Sequence, residues 1–241
     1  MPQWLELTLV IIGLVVVVVA GMSVLHYLSV KGMSKATLKP VDPAEIPDQI
    51  ERSKPDSQWA NKHGFTWAGS YTFKAGMNPA ITVLAWRSQD RATFFCVYYA
   101  MNLQFYDLVT AFEKHIAITT GSMKDGVLFP HPPGEFIQVF PGDDLEERYI
   151  KHLESVRFIQ SRFSISPNPI SDELTDEFIP VVHRQMRYIR SIPLWIIRVH
   201  WWFITQRLRK NKTIEQQHPD LDTGDLHEIR RLISEEFDES V

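Results

Sequence analysis

The chain has 241 residues, 25 Lys and Arg against 29 Asp and Glu for a formal net charge of −4, and is 44% hydrophobic and 12% aromatic. That apolar content can build a sizeable core and excludes wholesale disorder, while the small net charge argues against a nucleic-acid partner. A single cysteine, Cys96, excludes an intramolecular disulfide and suits a compartment in which thiols stay reduced.

Residues 7–30 read LTLVIIGLVVVVVAGMSVLHYLSV, with no acidic or basic residue and with His26 as the one strongly polar side chain. A helix rises about 1.5 Å per residue, so roughly 20 apolar residues cross a hydrocarbon layer about 30 Å thick. Trp4 and Tyr27 stand near the two ends, where amphipathic rings favour the membrane–water boundary. The valine run over 15–19 would suit a strand in water, but in lipid a lone segment can pair its backbone only as a helix. A cleaved secretory signal fits poorly, because residues 1–6 lack Lys and Arg and Ala20, Gly21 and Met22 make a poor cleavage site. A buried core helix is the remaining alternative to a retained transmembrane signal anchor over 1–30. Lys31, Lys35 and Lys39 follow the apolar run and no basic residue precedes it. Basic flanks are retained inside, so a single-pass membrane protein with a cytoplasmic C-terminal domain is expected.

Residues 31–58 include Pro40, Pro43, Pro47 and Pro55, have mixed charge and show little apolar periodicity. Proline lacks an amide donor and restricts its predecessor, so this stretch is expected to be a semi-extended spacer. Residues 59–170 are expected to form an α+β soluble domain. Runs rich in β-branched and aromatic residues predict strands over 65–74, 81–87, 92–100, 104–112, 116–120 and 136–140, with a short piece at 127–129. Their regular spacing predicts an antiparallel β meander of about 5–6 strands plus amphipathic helices. Thr93, Phe94, Phe95, Cys96, Val97, Tyr98 and Tyr99 are apolar on both faces, as in a central strand covered on both sides. Over 143–163 the residues Leu145, Tyr149, Leu153, Val156, Ile159 and Phe163 recur at helical spacing, with Asp143 and Glu146 placed as a capping box.

Residues 171–212 are basic and rich in tryptophan. Between His183 and Thr213 stand Arg184, Arg187, Arg190, Arg198, Arg207, Arg209, Lys210 and Lys212, with no acid and with Trp195, Trp201 and Trp202 interleaved. Read as a helix broken near Pro193, this stretch places Ile189, Ile197, Trp201, Ile204 and Leu208 on one stripe and Arg187, Arg198 and Arg209 on another face. On a tethered protein such a helix reads as interfacial, with Arg184, Arg187, Arg190, Trp195, Arg198, Trp201, Trp202, Arg207 and Arg209 at the membrane surface. A core-completing helix with solvated arginines, and a second span over 192–205, compete with that reading. The span is short and carries Arg198, which costs about 2.5–3.5 kcal/mol at a bilayer centre.

The tail over 213–241 reverses the sign, with nine acids against Arg230 and Arg231. Leu226, Ile229, Ile233 and Phe237 predict a short amphipathic helix that docks a partner, folds back on the basic stretch or ends in a solvated acidic terminus.

The sequence shows no glycine-rich phosphate loop, no paired cysteines for zinc and no nucleophile elbow, so no cofactor and no metal are expected. Cys96 reads as a buried small hydrophobe. The expected function is a membrane-anchored binding or interaction module at the cytoplasmic face, with the lipid bilayer and a protein as partners. The alternative is an anchored hydrolase with a pocket lined by Trp86, Tyr98, Tyr99 and Tyr106 and a rim histidine among His115, His131 and His152.

Overall fold

The computed structural model describes residues 3–76, 79–113, 115–123, 129–169, 171, 173–207 and 211–238. It opens with α1 (Gln3–Met33), a helix long and apolar enough to cross a membrane. Residues 3–21 of α1 touch almost nothing in the protein. Nineteen helical residues extend about 28 Å, close to the thickness of a hydrocarbon layer.

A mixed seven-stranded sheet follows, in the order β1 (Thr37–Pro40), β2 (Phe65–Lys74), β3 (Ile81–Ser88), β4 (Thr93–Ala100), β5 (Leu103–Glu113), β6 (Ile116–Gly121) and β7 (Glu135–Val139). The strands from β1 to β6 pair antiparallel, but β7 runs parallel to β6, so the expected pure meander is corrected at its last strand. A parallel pair needs a crossover connection, so no tight hairpin joins β6 to β7. Within the expected short strand at 127–129, residues 127 and 128 lie outside the described part, and Phe129 is in no strand. Strand β1 was not anticipated, because a four-residue edge strand ending in Pro40 has too little pattern to stand out.

The expected spacer over 31–58 is likewise corrected. It holds the end of α1, strand β1, a 3-10 turn over Pro43–Glu45 and helices α2 (Pro47–Arg52) and α3 (Lys54–Lys62). Pro43, Pro47 and Pro55 stand in the first turns of these short helices, where the missing amide is no loss.

Strand β4 is buried along both faces, as its composition demands. Phe94, Cys96 and Tyr98 pack with Tyr71, Val83 and helix α5 (Leu174–Ser191). Phe95, Val97 and Tyr99 face the other way, toward Ala60 and Trp59 of α3 and Leu145 and Tyr149 of α4 (Leu145–Phe163). The cap of α4 is Asp144, one residue later than expected, accepting a hydrogen bond from the Glu147 amide at 2.8 Å. The stripe on α4 is also rotated from the expected one. Leu153 is 36% exposed, whereas Arg148, His152 and Ser155 are buried beside Val156, Ile159 and Phe163.

His152 and Ser155 find their partners on the sheet, as burial requires. His152 is bonded to the hydroxyls of Thr110 on β5 and Thr120 on β6, both at 2.7 Å. Gln138 of β7 donates to Thr120 at 2.8 Å, and its carbonyl oxygen accepts from Ser155 at 2.8 Å and from the Ile214 amide at 3.0 Å. This network sets α4 and α7 (Ile214–Gln217) on the sheet. Beyond it, α8 (Thr223–Asp238) packs Leu226, Ile229 and Ile233 onto Phe112, Ile116 and α4. The acidic segment is therefore a folded part of the domain rather than a solvated tail.

Candidate functional site

The basic, tryptophan-rich stretch divides into α5 and α6 (Trp195–Arg207), separated at 192–194, where Leu194 takes a left-handed φ of 55°. The break resets the helical phase, so the expected common face of Arg187, Arg198 and Arg209 does not form; Arg209 itself lies outside the described residues. Both helices pack on the last three turns of α1. Val30 is buried with Met186, Ile189 and Val199, and Met33 closes the same cluster. Tyr27 stacks on Trp195 at a ring separation of 6.5 Å, Ser23 bonds His200 at 2.8 Å, and His26 lies against Phe129 and His200. Trp195 meets α1 at Tyr27 and His200 meets it one turn earlier at Ser23, so α6 turns back along α1 toward its exposed part.

At its other end this joint is locked by a glycine pair. Gly76, in the β2–β3 turn with φ 61°, approaches so closely that an added Cβ would stand 2.8 Å from the Gly32 Cα. Only glycine permits both the left-handed backbone and that contact.

On its outer side α6 exposes Ile197 (65%), Trp201 (71%) and Ile204 (57%), spaced three or four residues apart on one stripe, and Leu194 (75%) is exposed in the break just before it. Arg198 flanks the stripe and is exposed, as are Arg187 and Arg190 on α5. Trp195 and Trp202 are half-buried against the protein. Arg207 closes α6, and its side chain is outside the described part. Between α1, α5 and the start of α6 lies a cavity of about 300 Å³, lined by Tyr27, Val30, Lys31, Ser34, Lys35, Arg190 and Trp195.

Arg184 is the member of the expected surface set that the fold takes inside. It is buried, donates to Glu236 of α8 at 2.9 Å and to the Pro133 and His115 carbonyls at 3.0 and 3.4 Å, and stands 3.6 Å from Glu135. The acidic segment thus folds back onto the basic one at this point. In a basic run this arginine carries no local mark of its burial.

The expected aromatic pocket does not form. Tyr98 faces the α5 side of the sheet, and Trp86, Tyr99 and Tyr106 belong to the α3–α4 side. Tyr99, Tyr106 and Gln104 instead surround the buried Asp56, with Gln104 donating to Asp56 and to Tyr106 at 2.8 and 2.7 Å. Burial raises the Asp56 carboxyl to about 6, and these hydrogen bonds only partly offset it. The three histidines serve different places. His152 lies inside the sheet–α4 network, where burial pushes its pKa down to about 3. His131 bonds Gln185 at 2.9 Å and stands 3.6 Å from Glu135, and the His115 carbonyl accepts from Arg184. A shallower hollow of about 260 Å³ collects Glu135, His218, Asp225 and Glu228 at the foot of α8. Among the described residues no group of three or more His, Cys, Asp or Glu is placed to hold a metal ion.

Comparison with protein-family models, with curated proteins and with solved structures finds no match to this chain.

Proposed function

We propose that the protein is a single-pass, membrane-anchored binding module whose α+β domain is seated against the cytoplasmic leaflet. The reading is carried by the exposed stripe of Ile197, Trp201 and Ile204 on a helix packed against the last turns of α1, with Leu194 exposed just before it. A monomeric protein in water rarely displays such a patch, but at the boundary of a bilayer it lies in headgroups and acyl chains. Exposed Arg187, Arg190 and Arg198 suit the anionic surface there. Lys31, Lys35 and Lys39 give the inward orientation. Met101 and Leu103, exposed at the β4–β5 turn, support a further surface for a protein partner. The orientation is tested by fusing to the C-terminus a reporter that fluoresces only in the cytoplasm. Fluorescence is expected; activity of a reporter that works only outside, fused at the same place, would overturn it.

A further inference from the structure

We infer that the 300 Å³ cavity between α1, α5 and α6 binds the phosphate headgroup of one anionic glycerophospholipid. The inference deepens the proposed function and rests on α1 being a membrane span. Three cations converge on the cavity, Lys31 and Lys35 from the end of α1 and Arg190 from the end of α5, and no carboxylate lines it. Among the described residues none of the three is in an ion pair; Arg190 uses its Nε on the Met186 carbonyl at 3.2 Å. Ser34, whose hydroxyl donates to the Val30 carbonyl at 2.8 Å, leaves its oxygen as a further polar group in the wall. The volume stands at the lower end of ligand sites, enough for a headgroup but not for a whole lipid.

Position decides between a lipid and a free anion. The remaining walls are Tyr27 and Trp195, stacked at 6.5 Å, and Val30 of α1, with the Lys31 ammonium 5.9 Å from the Tyr27 ring centre. Amphipathic rings of this kind settle at the ester and headgroup level of a bilayer. The exposed helical surface of residues 3–21 and the α6 stripe adjoin the site and supply the apolar path that acyl chains need. A phosphate placed among Lys31, Lys35 and Arg190 then has its chains along α1. The three side chains neutralise it by charge-assisted hydrogen bonds.

The test uses the full chain, delipidated in a neutral detergent, and follows the thermal unfolding midpoint while short-chain phosphatidylglycerol, short-chain phosphatidylcholine or inorganic phosphate is added. Phosphatidylglycerol should raise the midpoint saturably, and neither of the others should do so at the same concentrations. Changing Lys31, Lys35 and Arg190 together to Gln should weaken the apparent affinity roughly a hundredfold, about fivefold per cation, while Arg157→Gln on α4 leaves it unchanged. If the triple variant does not fold, Lys35→Gln alone is read, with a fivefold weakening expected. Equal response to phosphatidylcholine overturns the inference, as does a variant that responds like the parent. An equal response to inorganic phosphate shows a free-anion site and overturns the lipid assignment. Any of these failures leaves the seating of α6 standing, because that depends on Ile197 and Trp201 reaching the bilayer and not on a headgroup preference.

Discussion

His152 shows how burial fixes a single residue's behaviour. With both ring nitrogens held by threonine hydroxyls and the side chain fully buried, the ring stays neutral when folded and takes a proton only near pH 3, against about 6.5 when unfolded. The unfolded chain therefore binds the extra proton across that window, and stability falls as pH drops below about 6.5. Asp56 works in the opposite sense. Its raised carboxyl keeps a proton in the folded state up to about pH 6, so its contribution is lost as pH rises from about 4 to 6. The two cancel in part in the parent, and the difference between parent and His152→Gln isolates the histidine. Between pH 6 and 4 the parent should lose about 1.4 kcal/mol per pH unit more than the variant, read by denaturant titration. Equal slopes would show that His152 is not buried neutral. The arginines of α5 make a second contrast. Arg184→Ala leaves Glu135 and the partly exposed Glu236 without their arginine and the Pro133 and His115 carbonyls without a donor, and should cost about 3 kcal/mol, whereas Arg187→Ala at the surface should stay within about 0.5 kcal/mol. Denaturant midpoints of the two variants check this directly.

At the scale of elements, strands declared themselves better than their connections. The β2 boundaries could be read from residues 65–74 alone, since β-branched and aromatic runs bounded by turns carry both ends. The α4 stripe was legible only in part. Apolar spacing marks Val156, Ile159 and Phe163, but a polar network such as His152 with Thr110, Thr120 and Gln138 is assembled across strands and has no spacing in one helix. The same holds for residues 31–58, whose prolines serve both helix starts and extended linkers. The joint between α1 and the domain was not legible at all, because Val30, Met186, Ile189 and Val199 meet over more than 150 residues of sequence. That joint makes a prediction. A cut after Gly21 leaves the cluster whole, whereas a cut after Met33 removes Val30 and Met33 from it. Loss of these two side chains, at about 1.5–3 kcal/mol each, should lower the unfolding midpoint by roughly 10 °C relative to the shorter deletion. Equal midpoints would show that α1 is attached without being packed.

For the whole molecule, the structure turns a tether into a fixed mount. Nineteen helical residues, all but Leu5 exposed, are followed without a spacer by three turns packed on α5 and α6, with Gly32 and Gly76 in backbone contact. A domain held that way cannot swing freely about α1, so with α1 as the proposed span the surface turned toward the bilayer is chosen by the fold. The candidate site was half legible in sequence: the run of arginines and tryptophans marked the region, and burial then separated Arg184 from Arg187, Arg190 and Arg198. Cys96 is buried and its thiol is pushed up by burial, so labels can be placed elsewhere without removing it.

The central claim, that α6 rests in the membrane boundary, is tested most directly by spin labels at Ile197→Cys, Trp201→Cys and Arg157→Cys in the full chain reconstituted into lipid vesicles. Accessibility to oxygen, which concentrates in the bilayer, is compared with accessibility to a water-soluble nickel chelate. The labels at 197 and 201 should favour oxygen, while the label at 157 should favour the chelate. Labels at 197 and 201 as open to the chelate as the one at 157 would contradict it.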